Sequence, residues 1–533
     1  MPEPLRKRGP RRSRQSKSYR DLVQRLSGGA GVKPWLSRCR LVIHVIKINY
    51  CQKGVKREMV QDSNLDIAFN PQSIAVVGAS SDDNTERKNW VGKLQEFGYK
   101  GKIYPINPKA SMILGLKAYP SVKAVPEPID YAIFAIKSAF VPGALRDCIT
   151  KGIKVAHVYT AGFAETGMEA GRKLQEEVIS IVKEGKIRII GPNCMGIYNP
   201  KTGLTFNVHF SRESGNVGIV SQTGAGMMEL IPHANARGIR FSKVVSYGNA
   251  LDINAAEFVE YLANDNDTKY IFCYIEGVND GYRFFKAVRD CNRTKPVIVL
   301  KGGLTEGGSG AVSSHTASLA GSESVWKAFF NQTGAIQVET LGEAVEQIVA
   351  VEKIPEIKGR RIGIVARGGG VGVVATDTCE RAGLKVPSLT KETRLELAKI
   401  TPADAGSSIR NPVEIGLGRF GVSEFYAKGL NLVADDTNID VVMAVLNPHV
   451  YTQEGVGAKE IDQSAQVLID TAKTLSKPLV VVITLGDSID VIGMELAAQE
   501  KILNAGVPAF STVEAAILAI SKMARYREFR RSL

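Results

Sequence analysis

From about residue 64 to the C-terminus, short runs of β-branched and other large apolar residues alternate with longer amphipathic stretches. That alternation predicts parallel α/β structure, with strands buried under helices on both faces. Runs at 74–77, 103–106, 131–136, 155–159 and 187–190 predict a five-strand doubly wound domain. A second block, from about 216 to 336, has strands near 217–220, 271–275 and 297–300. A helix and linker containing Lys, Glu and Pro, about 341–359, leads to a third block. Residues 1–58 show neither helical nor strand period and are rich in Arg, Lys, Ser and Gly, so they are read as disordered.

The third block reads as a second copy of the second. GIVSQTG at 218–224 is answered by GIVARGG at 363–369, GNALDI at 248–253 by RNPVEI at 410–415, and KPVIVLKGG from Lys295 by KPLVVVITLG from Lys477. Three anchors recur in one order with spacing that grows only by insertion, which favours duplication over chance.

Composition sharpens this picture in two ways. A length of 533 residues suits three or four domains, and 44% hydrophobic with 23% charged residues is ordinary globular usage. The net charge of +14 first suggests a nucleic-acid or lipid partner, but residues 1–58 hold 16 Lys/Arg against Glu3, Asp21 and Glu58. The remaining 475 residues carry 52 bases and 51 acids, so neither nucleic acid nor membrane is expected as a partner of the folded body. Seven scattered cysteines form no CxxC pair, which argues against a disulfide framework or a zinc site, and no metal-ligating set is expected. No run reaches eighteen apolar residues, so a soluble, cytoplasmic protein is expected.

Several turns carry candidate chemistry. The first strand ends in IAVVGASSDD (74–83), a strand-to-helix turn that presents backbone N–H groups to a phosphate. Only Gly78 of a dinucleotide fingerprint is present, and the second strand ends in Asn107-Pro108-Lys109 where a nicotinamide ribose needs an acid. A plain structural turn and a site for a phosphorylated adenosine such as coenzyme A both remain open there. RIIGPNCMGIYNP (188–200) leaves the last strand of the first domain as a loop, and its Cys194 is expected to shape the site as a buried residue. VGIVSQTGAGMMEL (217–230) is strand, small-residue turn and helix; it fits an anion pocket or an ordinary helix cap.

KGGLTEGGSGAVSSHTASLAG (301–321) says most. It follows an apolar strand, holds six glycines, and delivers one histidine among small neighbours. A glycine-rich loop lets phosphate approach the backbone, and a neutral imidazole accepts a phosphoryl group at nitrogen. His44, His157, His209, His233 and His449 lack such a context and are read as structural. Glu276 ends the preceding strand, where its carboxylate either orients His315 or is merely solvated.

Together SIAVVGAS (73–80), IGPNCMG (190–196), GIVSQTG (218–224), SSHTASLAG (313–321) and GIVARGGGVG (363–372) resemble the ADP-forming acyl-CoA synthetases of the succinyl-CoA synthetase superfamily. The resemblance extends from about residue 64 to the C-terminus. It implies a Rossmann-like coenzyme A-binding domain (64–203), a catalytic flavodoxin-like domain (204–345), a linker (346–359) and a flavodoxin-like ligase domain (360–533) behind the extension 1–63. It implies further that His315 is a transient phosphohistidine oriented by Glu276, and that Ser221, Thr223 and Gly224 hold its phosphate. Gly78, Ala79 and Ser80, with Asn107, Pro108 and Lys109, would contact coenzyme A, and Asn193 and Cys194 would border its thiol end. The family more often has glycine where this chain has Ala317.

The implied reaction converts acyl-CoA, ADP and phosphate to carboxylic acid, coenzyme A and ATP through an acyl phosphate and the phosphohistidine. The superfamily also needs an ATP-grasp domain, for which the three α/β blocks leave no room, and no P-loop replaces it. The resemblance therefore implies an α subunit whose β partner carries the ATP-grasp domain with ADP/ATP and Mg2+, most simply as α2β2. Two other readings are a coenzyme A-binding or acyl-CoA-sensing module without turnover, and, disfavoured by Asn107, a nicotinamide-dependent oxidoreductase. For residues 1–58 a basic arm or a transit peptide competes with upstream sequence ahead of a start at Met59, and the last is expected.

Overall fold

Parallel strands covered by helices on both faces are buried along their length, which is why the strand runs of this sequence are mostly apolar rather than alternating. The computed structural model describes residues 65–80, 89–316, 321–366, 369–401, 408–414, 424–448, 457–486 and 488–533, all within one compact unit, Asn64–Leu533. The basic extension and His449 lie outside the described residues.

The first sheet contains β1 (Ser73–Val77), β2 (Lys102–Ile106), β5 (Tyr131–Phe134), β6 (Val155–Val158) and β7 (Arg188–Ile190) in the order β2-β1-β5-β6-β7, all parallel. A small hairpin, β3 (Met112–Ile113) and β4 (Leu116–Lys117), interrupts the crossover from β2 to β5. Helices Val141–Lys151 and Glu169–Gly185 cover one face through Leu145, Cys148, Val178 and Ile181. The opposite face, with Ile74, Val76, Tyr131 and Ile133, belongs to a core that continues into the other two sheets.

The second sheet holds β8 (Gly196–Tyr198), β9 (Ser214–Ser221), β10 (Phe241–Ser246), β11 (Tyr270–Ile275), β12 (Val297–Lys301) and β13 (Ile336–Val338) in the order β13-β12-β11-β9-β10-β8. Only β8 is antiparallel; it pairs with β10 although it lies within the stretch 64–203. The third sheet, β14 (Ile362–Ala366), β15 (Val413–Glu414), β16 (Val441–Leu446), β17 (Leu479–Ile483) and β18 (Ala509–Phe510), has the order β15-β14-β16-β17-β18. Both are flavodoxin-like arrangements in which the first strand is central and the chain reverses across it.

The outer two of the three paired anchors fall on equivalent strands; the middle pair does not, because GNALDI (248–253) follows β10 whereas RNPVEI (410–415) contains β15. Each GIV run is the first strand, and each Lys-Pro run opens the fourth. The lysines also do the same job. Lys295 Nζ donates to Leu262 O (2.9 Å) and Asp265 O (2.6 Å) at the end of helix Ala255–Asn264, and Lys477 Nζ donates to Asp436 O just past helix Glu424–Asp435. The first sheet shares the strand order, so topology alone does not separate duplication from a common plan.

The stretch expected as helix and linker contains helix Leu341–Lys353, whose Ala344, Val345, Ile348 and Val349 are fully buried. It packs against helix Val513–Arg531, and Arg237 joins the layers by bonding Glu346 Oε1 and Ala509 O, each at 2.6 Å. Among the described residues no helix is long and apolar enough to cross a membrane.

Candidate functional site at the carboxyl ends of the first two sheets

In open α/β sheets ligands bind beyond the carboxyl ends of the strands, where the topology reverses. In the first sheet that point lies between β1 and β5, and Gly78 occupies it. Its φ is +89°, and a Cβ there would stand 2.6 Å from both Ala135 O and Ile136 Cγ2, so only glycine fits without displacement. Gly78 N and Ala79 N both donate to Ile106 O, and Asn107 Nδ2 donates to Ala79 O at 2.8 Å. Asn107 Oδ1 in turn accepts from Lys109 N (2.8 Å) and Ala110 N (3.1 Å). One asparagine thus ties the two strand ends together and leaves Pro108 and Lys109 exposed at the mouth, beside half-buried Ser80. The third wall escaped the sequence reading. It comprises Thr160, whose hydroxyl donates to Ile136 O at 2.7 Å, and the turn Ser138–Phe140, whose Phe140 ring is 65% exposed.

The loop after β7 is held from both sides. Asn193 N donates to Thr160 O (3.0 Å) in the first sheet, while Asn249 N and Leu251 N donate to Pro192 O (3.1 Å) and Gly191 O (3.0 Å). Arg188 fastens the root of this seam, reaching Asp252 Oδ2 and Glu257 Oε2 at 2.9 Å each. Glu165 fastens its far end by accepting from Gly162 N (2.6 Å), Phe163 N (3.1 Å) and Asn249 Nδ2 (2.7 Å). Cys194 is buried, its Sγ turned toward Val158 O at 3.9 Å, and burial pushes the thiol well above its ordinary range. A neutral thiol there is a packing group. Beneath it, fully buried His157 places Nε2 3.0 Å from Cys194 O. A carbonyl only accepts, so Nε2 carries the proton, and burial pushes this imidazole down to about 4.

In the second sheet β9 leads into helix Gly224–Ala236, capped by Thr223, whose Oγ1 accepts from Gly226 N at 3.1 Å. Ser221 is fully buried, donates to Thr223 O (2.9 Å) and accepts from Thr223 N (3.1 Å). Ser221 thus spends both roles of its hydroxyl on the turn, whereas Thr223 Oγ1 only accepts there and keeps its O–H to donate. An anion at this turn can meet the Thr223 hydroxyl and the N–H groups of Gly224 and Ala225, ahead of the capped Gly226. Between Ser221 and Thr223 lies Gln222, a residue the motif reading passed over. It is buried, and its Oε1 accepts from Glu276 N and from Gly277 N (2.9 Å), locking the turn after β9 to the end of β11.

Glu276 is 4% exposed and accepts from Tyr274 Oη at 3.3 Å. Lys301, also overlooked, is 5% exposed at the end of β12 and donates to Glu276 O (2.8 Å) and Gly302 O. Its ammonium stands 5.2 Å from the Trp326 ring centroid, and burial lowers its pKa to about 8. The segment beyond it is not the glycine-rich loop expected: residues Glu306–Thr316 form a helix. Thr305 starts it, its Oγ1 accepting from Gly308 N (3.1 Å) and its carbonyl from Ser309 N (2.8 Å), and buried Val312 anchors it. This local cap and anchor outweigh the roughly 1 kcal/mol that each glycine costs a helix. His315 lies in the last turn of that helix, which packs against the turn Ala164–Thr166 of the first sheet. The His315 side chain and residue Ala317 lie outside the described residues. Among the described residues no group of three or more His, Cys, Asp or Glu side chains is placed to hold a metal.

Two family models match: a CoA binding domain over residues 72–200 and a succinyl-CoA ligase like flavodoxin domain over 214–351. The α subunit of acetate–CoA ligase (ADP-forming) I from Pyrococcus furiosus is 34% identical over 478 residues, covering 88% of this chain and 98% of that one. Acetate–CoA ligase (ADP-forming) I from Archaeoglobus fulgidus is also 34% identical, over 86% of this chain, which spans only 63% of that longer protein. Among solved structures, a dinucleotide-forming acetyl-coenzyme A synthetase 1 from Ca. Korarchaeum cryptofilum, in complex with phosphate and ADP, superposes with a TM-score of 0.75. It is 30% identical and aligns over 88% of this chain and 97% of that one. With nearly the whole of a named α subunit matched end to end, on a fold of the same kind, this chain belongs to the family of ADP-forming acetate–CoA ligase α subunits.

Proposed function

We propose that this chain is the α subunit of an ADP-forming acyl-CoA synthetase and performs the acyl and phosphohistidine chemistry of that enzyme. Phosphate attacks the thioester carbonyl, the coenzyme A thiolate leaves, and an acyl phosphate forms. The amides at the start of helix Gly224–Ala236 hold the phosphate charge, as preorganised donors do in phosphoryl and acyl transfer. A neutral His315 nitrogen then attacks phosphorus and the carboxylate leaves. ADP, with Mg2+, takes the phosphoryl group on a separate ATP-grasp β subunit, most simply in an α2β2 assembly. Coenzyme A lies along the carboxyl edge of the first sheet, with Gly78, Ala79, Ser80, Asn107, Pro108 and Lys109 at its phosphates and Asn193 and Cys194 at its thiol end. Glu276 orients His315.

The supporting observation is the tie that Gln222 and Lys301 make between three strand ends. They hold the phosphate turn, Glu276 and the root of the histidine helix together at one edge of the second sheet. The five cysteines among the described residues are buried and free of disulfides, which fits a reducing cytoplasm. The test is turnover of the chain combined with its nucleotide-binding subunit, acetyl-CoA, ADP, Mg2+ and phosphate. Release of the coenzyme A thiol should require both phosphate and ADP and match ATP formed. Tight coenzyme A binding with no turnover in the same mixture would instead make the chain a sensing module.

A further inference from the structure

Under the reading above, the acyl carbon passes between two fixed places: the thiol end of coenzyme A at Asn193 and Cys194, and the phosphate at the start of helix Gly224–Ala236. The side chain that leaves the Asn193–Cys194 loop and reaches the start of this helix is that of Met195. Its backbone N–H donates to Ser246 Oγ at 3.2 Å, and a Cβ built on Gly224 would fall 2.5 Å from Met195 Cγ. The Met195 side chain therefore lies, at its Cγ, directly on the first residue of that helix. Its neighbour faces the other way: Cys194 Sγ points to Val158 O, inside the first sheet. Met195 is half-buried, so part of its surface remains free to meet a ligand.

The backbone around it is held in place rather than loose. Asn193 and Ala250, both non-glycine residues, keep left-handed φ values of +56° and +53°, and Asn279 Nδ2 holds Ala250 O at 3.1 Å. Such conformations persist only where the surroundings over-determine them. A side chain mounted on this seam meets an acyl group as a wall of fixed position.

We infer that Met195 forms the end wall of the acyl pocket and sets the length limit of the acid, confining the enzyme to short aliphatic carboxylates; this rests on the acyl-CoA synthetase reading. An unbranched thioether offers no charge or strong donor to a second carboxylate, and its length fills the space that a longer chain needs. Apolar pockets discriminate by about 10- to 200-fold per methylene-sized change.

The experiment measures kcat/KM for acetate and for hexanoate, with ATP and coenzyme A, in the complex of this chain with its nucleotide-binding subunit. Met195→Ala should raise the hexanoate-to-acetate ratio by at least about tenfold. Met195→Val should raise it by less, in the same direction, and carries the test if thermal melting shows the alanine variant unfolded. A ratio within twofold of wild type in a folded, active variant overturns the inference and leaves the proposed reaction standing. Absence of any ligase activity in the wild-type complex, with coenzyme A still bound, overturns both.

Discussion

At the scale of single residues, the site is built less by its conspicuous groups than by those that hold them. Ser221 stands out in the sequence, yet its hydroxyl both donates and accepts within the turn, while Thr223 caps the helix through its oxygen and keeps its O–H to donate. Gln222 and Lys301, unremarkable in a motif, are the buried polar residues that join three strand ends. No periodicity reveals such residues, because one polar position inside an apolar run reads the same whether its partner is water or a neighbouring strand. His157 yields a quantitative expectation. Its imidazole is neutral in the folded chain down to about pH 4, whereas an unfolded histidine binds a proton below about 6.5. Stability from this group is thus fully present above about pH 6.5 and is lost as pH falls from there toward 4, by about 2 kcal/mol at pH 5. Denaturant titrations at pH 7.5 and 5 should show that extra loss in the wild type and not in His157→Gln. Parallel pH dependence in the two proteins would contradict it.

At the scale of elements, the five strands of the first sheet were legible because each is a short, mostly apolar run, broken inside only by His157 in β6, and their ends shift by only one or two residues. β10 was not, since Ser242 and Lys243 interrupt it; both are buried, bonding Thr268 Oγ1 and Asp265 Oδ1 at 2.7 Å each. β8 and β13 are three residues long, and their glycine and glutamine leave no apolar run to mark them. The histidine segment misled in the opposite sense, because glycine content argues for a loop while the Thr305 cap and buried Val312 produce a helix. The seam between residues 191–195 and 246–253 was invisible in sequence, being a contact between segments some fifty residues apart. Gly248 is its tightest point: φ is +53°, and a Cβ would stand 2.3 Å from Pro192 O. Gly248→Val should cost at least about 2 kcal/mol of stability through backbone strain alone. It should also raise the KM for coenzyme A, because the displaced loop is the one carrying Asn193 and Cys194. A variant with wild-type melting temperature and wild-type KM would contradict this account of the seam.

At the scale of the whole molecule, one plan is used three times, a central first strand with the chain reversing across it, and the candidate site residues gather along the carboxyl edges of the first two sheets. The third sheet shares the lysine anchor of the second but has Thr484, Leu485 and Gly486 where the second leads on to its histidine helix. The close packing of helices Leu341–Lys353 and Val513–Arg531 makes the two one body rather than tethered parts. The central claim is that a single histidine on this body carries phosphate. Incubating the complex with acetyl-CoA and labelled phosphate, without ADP, tests it most directly. The account predicts an acid-labile, base-stable phosphoprotein in the wild type and none in His315→Ala; label that persists in that variant would contradict it.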